Sequence, residues 1–243
     1  MASSFSPASN EHVPPVTKDK ESSNWADLPA ELTFSILIRI GTVDILKNAQ
    51  RVCRSWRRVS KDPLMWQKIE IRSRGITDYE YDCLCRQAVD RSEGGLVELD
   101  ISDFVGDDSL LAYIADRAGY LRCLKLTASP PVTPKGLVNA VIKLQFLEHV
   151  EISHSFLQLD LKPVGCCCPL LKTLKLSRNR CCWGFESDSE ALTIAETMPQ
   201  LRRLELFGNC LTNTGLNAIL ENCICLQHFY LPDCPFVNLV GGS

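Results

Sequence analysis

Cysteine and histidine are the side chains of this chain that could bind a metal or attack a substrate, and their spacing argues against both. There are 13 cysteines and four histidines in 243 residues. The close groups are Cys83-x-Cys85, Cys166-Cys167-Cys168, Cys181-Cys182 and Cys223-x-Cys225. A structural zinc site needs two paired-ligand motifs such as C-x-x-C, and none of these groups has finger-like spacing. The odd count and the missing export signal make a disulfide framework the weaker reading. Free cysteine is often buried, so most of these thiols are expected as small buried hydrophobes and turn residues. His12, His149, His154 and His228 are scattered. Cysteine–histidine catalysis needs a paired, activated thiol. Cys123 and His149 could be brought together in one column on adjacent strands, but no orienting third group or oxyanion hole accompanies them. A phosphate-cradling loop of the form GxxxxGK[ST] is missing as well. The expectation is a non-catalytic protein with no cofactor and no metal. A thiol- or metal-dependent protein using the cysteine clusters is the competing class.

Bulk properties narrow the partners. Hydrophobic residues make up 45% of the chain and the formal net charge is −3. The first supports a packed core. The second supplies no basic field for phosphate backbones, so no nucleic acid is expected. No apolar run approaches a membrane span, and no membrane partner is expected. The N-terminal residues lack the charged-then-apolar order of a secretory signal. A cytoplasmic or nuclear location, or both, follows as an expectation.

The elements that must position any site are set by a repeat. An apolar-x-x-apolar-x-apolar pattern reads LVELDI from Leu96, LRCLKL from Leu121, LEHVEI from Leu147, LKTLKL from Leu171, LRRLEL from Leu201 and LQHFYL from Leu226. The spacings are 25, 26, 24, 30 and 25 residues, a period that marks a solenoid. Trp66 to Ile71 fits the same template 30 residues before Leu96. Helical stretches follow the strands: Asp107-Asp108-Ser109 before Leu110, Thr133-Pro134 before Leu137, a Ser187-Asp188-Ser189-Glu190 capping box before Ala191, and Thr212 or Thr214 before Leu216. Lys162-Pro163-Val164-Gly165 interrupts any long helix in the repeat from Leu147. Strand, helix and parallel strand again make a right-handed stack. The fold class expected is α/β, with about six to seven repeats over residues 67–243 and a parallel sheet on the concave face.

Ahead of the repeats lie two different textures. Residues 1–22 are rich in Ser, Pro and charge and read as a disordered tail. Residues 23–66 read as an all-helical unit. Asp27 is a plausible N-cap and Pro29 lies in the first turn. Leu32, Ile36, Leu37 and Ile40 are placed on one apolar face, and Gly41 ends that helix. A second helix starts at Thr42 and runs into Arg51–Val59, with Ala49, Val52, Cys53 and Trp56 at helical spacing. Such a unit is short for an independent fold, and it carries more apolar side chains than it can bury alone.

The stretch from Trp25 to Trp66 resembles an F-box, through Leu28-Pro29, Glu31-Leu32, Ile36-Leu37, Asp44-Ile45-Leu46, Val52-Cys53-Arg54-Ser55-Trp56, Asp62-Pro63 and Trp66. With the cysteine-containing repeats behind it, the chain is similar to plant F-box/leucine-rich-repeat proteins. That resemblance implies docking to a Skp-type adaptor, and through it to cullin and RING subunits of an SCF-type ubiquitin ligase. It implies an adaptor-binding set of Leu28, Pro29, Leu32, Ile36, Leu37, Ile40, Val52, Cys53 and Trp56. The chain is then a non-catalytic substrate receptor that recruits a client protein for ubiquitylation, or a non-degradative adaptor built from the same two modules. Arg51, Arg54, Arg57 and Arg58 make one helix end basic, which suits an acidic partner or a solvated face.

In each repeat strand two residues face outward on the concave side. One column reads Glu70, Asp100, Lys125, Glu151, Lys175, Glu205 and Tyr230, and the other reads Lys68, Glu98, Cys123, His149, Thr173, Arg203 and His228. Alternating charges in neighbouring strands read first as a solvated ladder that holds register. For a client, His149, Arg203, His228 and Tyr230 are the expected anchors, because Tyr and Arg are enriched at binding hot spots.

Overall fold

The computed structural model describes residues 25–72, 75–102, 106–127, 132–155, 159–178 and 186–238. The expected disordered tail lies outside them, as do His12, Cys181 and Cys182.

The N-terminal unit is built from short helical pieces. A 3-10 turn at Trp25–Asp27 leads to α1 (Ala30–Leu37), α2 (Thr42–Lys47), a 3-10 turn at Ala49–Arg51, α3 (Arg54–Val59) and a 3-10 turn at Pro63–Trp66. Three expectations for this unit are corrected. Asp27 closes the first turn, and α1 is preceded by Pro29 with no side-chain cap bond. Gly41 does not end α1, which stops at Leu37; it is the extended N-cap of α2. The helix expected from Thr42 to Val59 is broken, because Cys53 is fully extended at φ −155° and ψ 174°. Its sulfur then caps α3, accepting from the Trp56 N–H at 3.5 Å. An unbroken rod of 18 residues would be about 27 Å long. Short pieces can instead wrap Leu37, Ile45, Leu46, Ala49 and Val59 around one core.

Seven strands form one sheet in the order β1-β2-β3-β4-β5-β6-β7, every neighbour parallel. They are β1 (Lys68–Arg72), β2 (Glu98–Ser102), β3 (Cys123–Thr127), β4 (His149–Ser155), β5 (Thr173–Arg178), β6 (Arg203–Phe207) and β7 (His228–Tyr230). Helices α4 (Asp78–Arg91), α5 (Asp108–Arg117), α6 (Pro134–Val141), α7 (Lys162–Cys167), α8 (Ser189–Thr197) and α9 (Asn213–Asn222) alternate with them. The leucine-rich-repeat solenoid read from the pattern is therefore present. Its template leucines, such as Leu99, Leu124, Leu174 and Leu204, point into a continuous core. The irregular repeat is the one with α7, of only 6 residues, and its strand pairing shifts register between Ile152 and Ser155. Helix α4 has no counterpart among the stretches expected above. Its inward face is Tyr81, Leu84, Cys85, Ala88 and Val89.

The helical unit and the solenoid share that core, which runs from Leu37 to Cys223. Trp66 is the joint. It is 1% exposed, and its indole N–H donates to the Ser60 carbonyl at 3.0 Å. The Arg91 guanidinium of α4 lies 5.3 Å over the ring and donates to the same carbonyl at 3.1 Å. At the outer side of β1, the Glu70 N–H donates to Thr42 Oγ1 of α2 at 3.3 Å.

Successive repeats are tied by bonds between helix starts. The Asp108 carboxylate accepts from the Thr133 N–H at 2.9 Å and its hydroxyl at 2.6 Å. Thr133 in turn caps α6 through the Gly136 N–H. Asp188 repeats the device three repeats later, between α8 and α9. It accepts from the Thr212 N–H and hydroxyl at 2.7 and 2.8 Å and from the Gly215 N–H at 3.1 Å. The approach is so close that a Cβ on Gly215 would sit 2.4 Å from Asp188 Oδ1. The capping box expected at Ser187–Glu190 is thus corrected: Asp188 makes no cap bond to its own helix. Glu190 is buried, and meets Arg178 and the Asn209 side-chain amide. Burial pushes the Glu190 carboxyl pKa up, against the pull of Arg178.

Replacing Asp188 with Ala leaves the Thr212 and Gly215 N–H groups without their acceptor. A loss of about 1–3 kcal/mol of unfolding free energy is expected, measurable by urea titration. The stability of the conservative Asp188→Asn variant should fall between those of Ala and the native residue, since Asn can still accept but carries no charge.

Candidate interaction surfaces

Helix α1 splits the expected adaptor-binding set. Thr33 and Leu37 face inward, and Leu37 is 0% exposed. Leu32 is 53% exposed, and Ile36, one turn on, is half-buried. At about 100° per residue, positions 32 and 37 lie about 140° apart on a helix, so they cannot share a narrow face. Leu37 is therefore a core residue and is corrected as a direct contact for a partner. Ile40 lies beyond the end of α1 and is half-buried against the core. Leu28 is half-buried and Pro29 exposed. Val52 stands out at 58% exposure, in the break between α2 and α3. Cys53 and Trp56 are half-buried and have structural work: Cys53 caps α3, and Trp56 packs on the core with its indole N–H toward the Trp25 carbonyl at 3.4 Å. Three exposed apolar side chains fall outside the expected set: Trp25 at 61%, Ile38 at 55% and Leu64 at 60%. Ile38 is turned outward by the turn that ends α1, which the apolar run alone does not reveal.

On the sheet, both outward columns are in register across every strand. Glu70 opposes Asp100, then Lys125, Glu151, Lys175, Glu205 and Tyr230 follow in line; Lys68, Glu98, Cys123, His149, Thr173, Arg203 and His228 do the same. Contacts run both across and along the strands. Lys68–Glu98 at 2.9 Å and Lys175–Glu205 at 3.2 Å cross between strands, while Arg203–Glu205 at 3.2 Å lies within β6. His228 Nε2 is 3.6 Å from the same Glu205, and its ring is 6.3 Å from that of Tyr230. The structure thus brings together Arg203, His228 and Tyr230 around Glu205. It leaves His149, on β4, two strands from Arg203 and Glu205 and three from His228 and Tyr230, about 10 and 14 Å at parallel-strand spacing. His149 is half-buried 3.5 Å from Glu151 Oε2, and desolvation holds its pKa below the usual imidazole value despite that carboxylate. It is a less available anchor than the other three. Glu205, the shared partner, was read only as one member of a ladder.

Among the described residues the thiols are not grouped for chemistry. Among the described residues, no three His, Cys, Asp or Glu side chains converge as a metal site. Cys123 and His149 are indeed opposed on adjacent strands. Burial, however, pushes the Cys123 thiol up and the His149 imidazole down, the opposite of a thiolate–imidazolium pair. Cys85 is pushed up to about 12 by desolvation. Several cysteines instead bond the preceding repeat. Cys168 Sγ is 3.6 Å from the Val141 carbonyl, Cys223 Sγ is 3.7 Å from that of Met198, and Cys234 Sγ is 3.3 Å from that of Leu206. Cys83, Cys166 and Cys225 are exposed, and Cys210 is disulfide-bonded.

Comparison with known proteins agrees with this two-part construction. The F-box-like family matches residues 25–72, which reach from the first 3-10 turn through β1. The F-box protein SKIP19 of Arabidopsis thaliana is 51% identical over 245 residues, covering 99% of this chain and 78% of that protein. From the same plant, F-box/LRR-repeat protein 9 is 47% identical over 248 residues and covers 98% of both chains. The F-box protein FBW2 is more distant, at 30% identity over 231 residues, with 91% of this chain and 72% of that protein covered.

The two faces of α1 are separable by mutation. Leu37→Ala is expected to cost about 2–5 kcal/mol through loss of buried area and the cavity left behind. Leu32→Ala is expected to change stability by less than about 0.5 kcal/mol. Chemical unfolding of both variants checks the assignment; equal losses would place Leu32 in the core.

Proposed function

The chain belongs to the F-box/leucine-rich-repeat family, and from that premise we propose that it is the substrate-receptor subunit of an SCF-type ubiquitin ligase. In this reading the helical unit docks on a Skp-type adaptor, which connects it to cullin and RING subunits. The solenoid holds a client protein. The observation that supports it most is the exposed apolar set on so small a helical unit. Leu32, Ile38 and Val52 are each more than half exposed beside Pro29 and the half-buried Ile36, although a monomer gains by burying such side chains. In this reading the chain itself makes and breaks no bond. It acts by raising the effective concentration of client lysines near a charged ubiquitin-conjugating enzyme.

The client surface proposed is the end of the sheet around Glu205, formed by Arg203, His228 and Tyr230. Its mixed charge and its aromatic groups suit a protein partner, in keeping with the residues favoured at hot spots.

Two experiments test these assignments. A Leu32→Asp/Val52→Asp double variant places charges in the apolar set at exposed positions. It should lose co-purification with a Skp-type adaptor while its melting temperature stays within a few degrees of the native protein. Undiminished adaptor capture by that folded variant would refute the docking face. For the client, Arg203→Ala with Tyr230→Ala should reduce capture about tenfold or more, because single hot-spot truncations commonly cost 2 kcal/mol or more. Proteomic comparison with proteasome inhibited reads this out, and clients retained without ubiquitin transfer would favour the non-degradative adaptor.

A further inference from the structure

Each repeat enters its strand through the same tight turn. The N–H of the first template leucine donates to the carbonyl three residues back: Leu121 to Ala118 at 2.9 Å, Leu147 to Leu144 at 3.1 Å and Leu171 to Cys168 at 3.1 Å. The turns before β6 and β7 close in the same way. Both ends of these three turns are buried, so the two middle residues are forced out to water. Such positions are ordinarily polar or taken by Gly or Pro, as Pro199-Gln200 are before β6. The second middle residue before β3, β4 and β5 is instead Tyr120, Phe146 and Leu170, exposed by 66%, 44% and 45%. The Tyr120 and Phe146 ring centroids are 5.6 Å apart. Exposed apolar residues scattered singly need no explanation, but a contiguous rimmed patch marks an interaction site.

Strand pairing fixes a second row beside the first. The Glu148 N–H donates to the Arg122 carbonyl at 2.8 Å, that of Lys172 to Glu148 at 2.9 Å and that of Arg202 to Lys172 at 2.8 Å. Each side chain of this row follows its turn by one template leucine. Glu148 lies 3.4 Å from Arg122 and 2.6 Å from Lys172, and Arg202 is exposed beyond them. Three cations thus stand against one carboxylate along the flank of the apolar row. A second copy of the chain fits poorly here. A two-fold axis through the central turn would set Phe146 on Phe146 but Arg122 on Lys172, two like charges.

We propose that this rim of the solenoid docks an amphipathic helix of a partner protein, apolar along one stripe and acidic along the flank beside it. Parallel strands step by about 4.8 Å and a helical turn rises by about 5.4 Å. A helix lying along the stacking direction therefore presents apolar side chains at i, i+4 and i+7 to successive rim residues, drifting by only about 1 Å over two steps. An extended segment would present its same-side residues about 6.8 Å apart and fall out of step. Anchors spaced one turn apart are the usual reading frame of a bound amphipathic helix. The buried turn ends hold the rim in place before binding, which lowers the ordering cost on this side. The apolar row precedes β3, β4 and β5, apart from α1 and from the client end on β6 and β7, and the inference does not rest on the receptor reading.

The probe is a capped, fluorescein-labelled peptide of about 18 residues, long enough to form a helix, with leucines at i, i+4 and i+7 and glutamates along one flank. Titration with the full chain at an ionic strength of about 0.15 M should raise its anisotropy saturably. Phe146→Ser/Leu170→Ser should weaken binding about tenfold or more, and Tyr120→Ser alone about threefold or more, as truncated anchors do. Exchanging the peptide's glutamates for lysines should weaken it by a similar factor. Leu192→Ser, at a 47% exposed position of α8, and Arg203→Ala/Tyr230→Ala at the client end should leave binding unchanged; circular dichroism melts confirm that each variant folds. No saturable binding, equal affinity for the lysine peptide, or equal weakening by either control would overturn the site. So would dimerisation of the full chain in sedimentation velocity that Tyr120→Ser abolishes, which would give the rim to a second copy.

Discussion

A parallel sheet has two edges whose backbone groups need partners, and the first edge of this one governs how the molecule is put together. Strand β1 is not an exposed border. Thr42 of α2 accepts from its Glu70 N–H, and Trp66, the residue that leads into β1, is buried between Ser60, α4 and the helical core. The helical unit thus serves the solenoid as an N-terminal cap, and the solenoid supplies the core that so small a unit lacks. Neither half has a boundary free of shared packing. Trp66 belongs to both by sequence as well, since it closes the helical motif and opens the first strand template. A polar linker in place of that joint would leave Leu37, Ile45 and Leu46 with far less apolar surface to meet.

Once the first strand is fixed, register propagates. A slip of one residue between parallel strands would turn every template leucine to water, so the in-line charge columns are a consequence of burying the leucines. The charges adapt to that arrangement. Glu205 accepts Lys175 from the neighbouring strand and Arg203 from its own, with His228 close by. Exposed pairs of this sort are weak individually. Their greater effect is to pair charge toward the end of the sheet, beside the mixed polar and aromatic groups of β7.

Much of this was legible in the sequence, for local reasons. The strand template repeats because β1 to β6 bury the same three positions, which β7 half-buries. Thr133 and Thr212 announce helix starts because capping acts over two or three residues. Helix α4 was equally legible: Tyr81, Leu84, Cys85, Ala88 and Val89 follow the i, i+3, i+4, i+7, i+8 pattern of an amphipathic helix, although attention to the leucine template passes over it. The ties between repeats were not legible. Asp108 and Thr133 are 25 residues apart, and Asp188 looks like a cap for the helix it precedes; only the stacking of helix starts reveals that it serves the next one. The same holds for Glu190, whose capping-box position concealed a buried partner for Arg178. At α1 the difficulty was angular. A run of apolar residues around the whole helix does not say which stripe the core will take, and the turn after Leu37 decides it.

The rigid joint also bears on how such a molecule could present a client. Six strand steps separate β1 from β7, about 29 Å at parallel-strand spacing. With a flexible linker, that separation would be one value in a broad distribution, and the effective concentration of a bound partner would fall with linker length. Here the distance is set by hydrogen-bonded strands and by a shared core, so the far end of the sheet is held at a fixed reach and orientation from the apolar face of α1. Under the proposed receptor role, rigidity would raise the local concentration for clients whose reactive lysines fall at that reach and lower it for others. Selectivity can therefore arise from the number of repeats as well as from the side chains on the last strands.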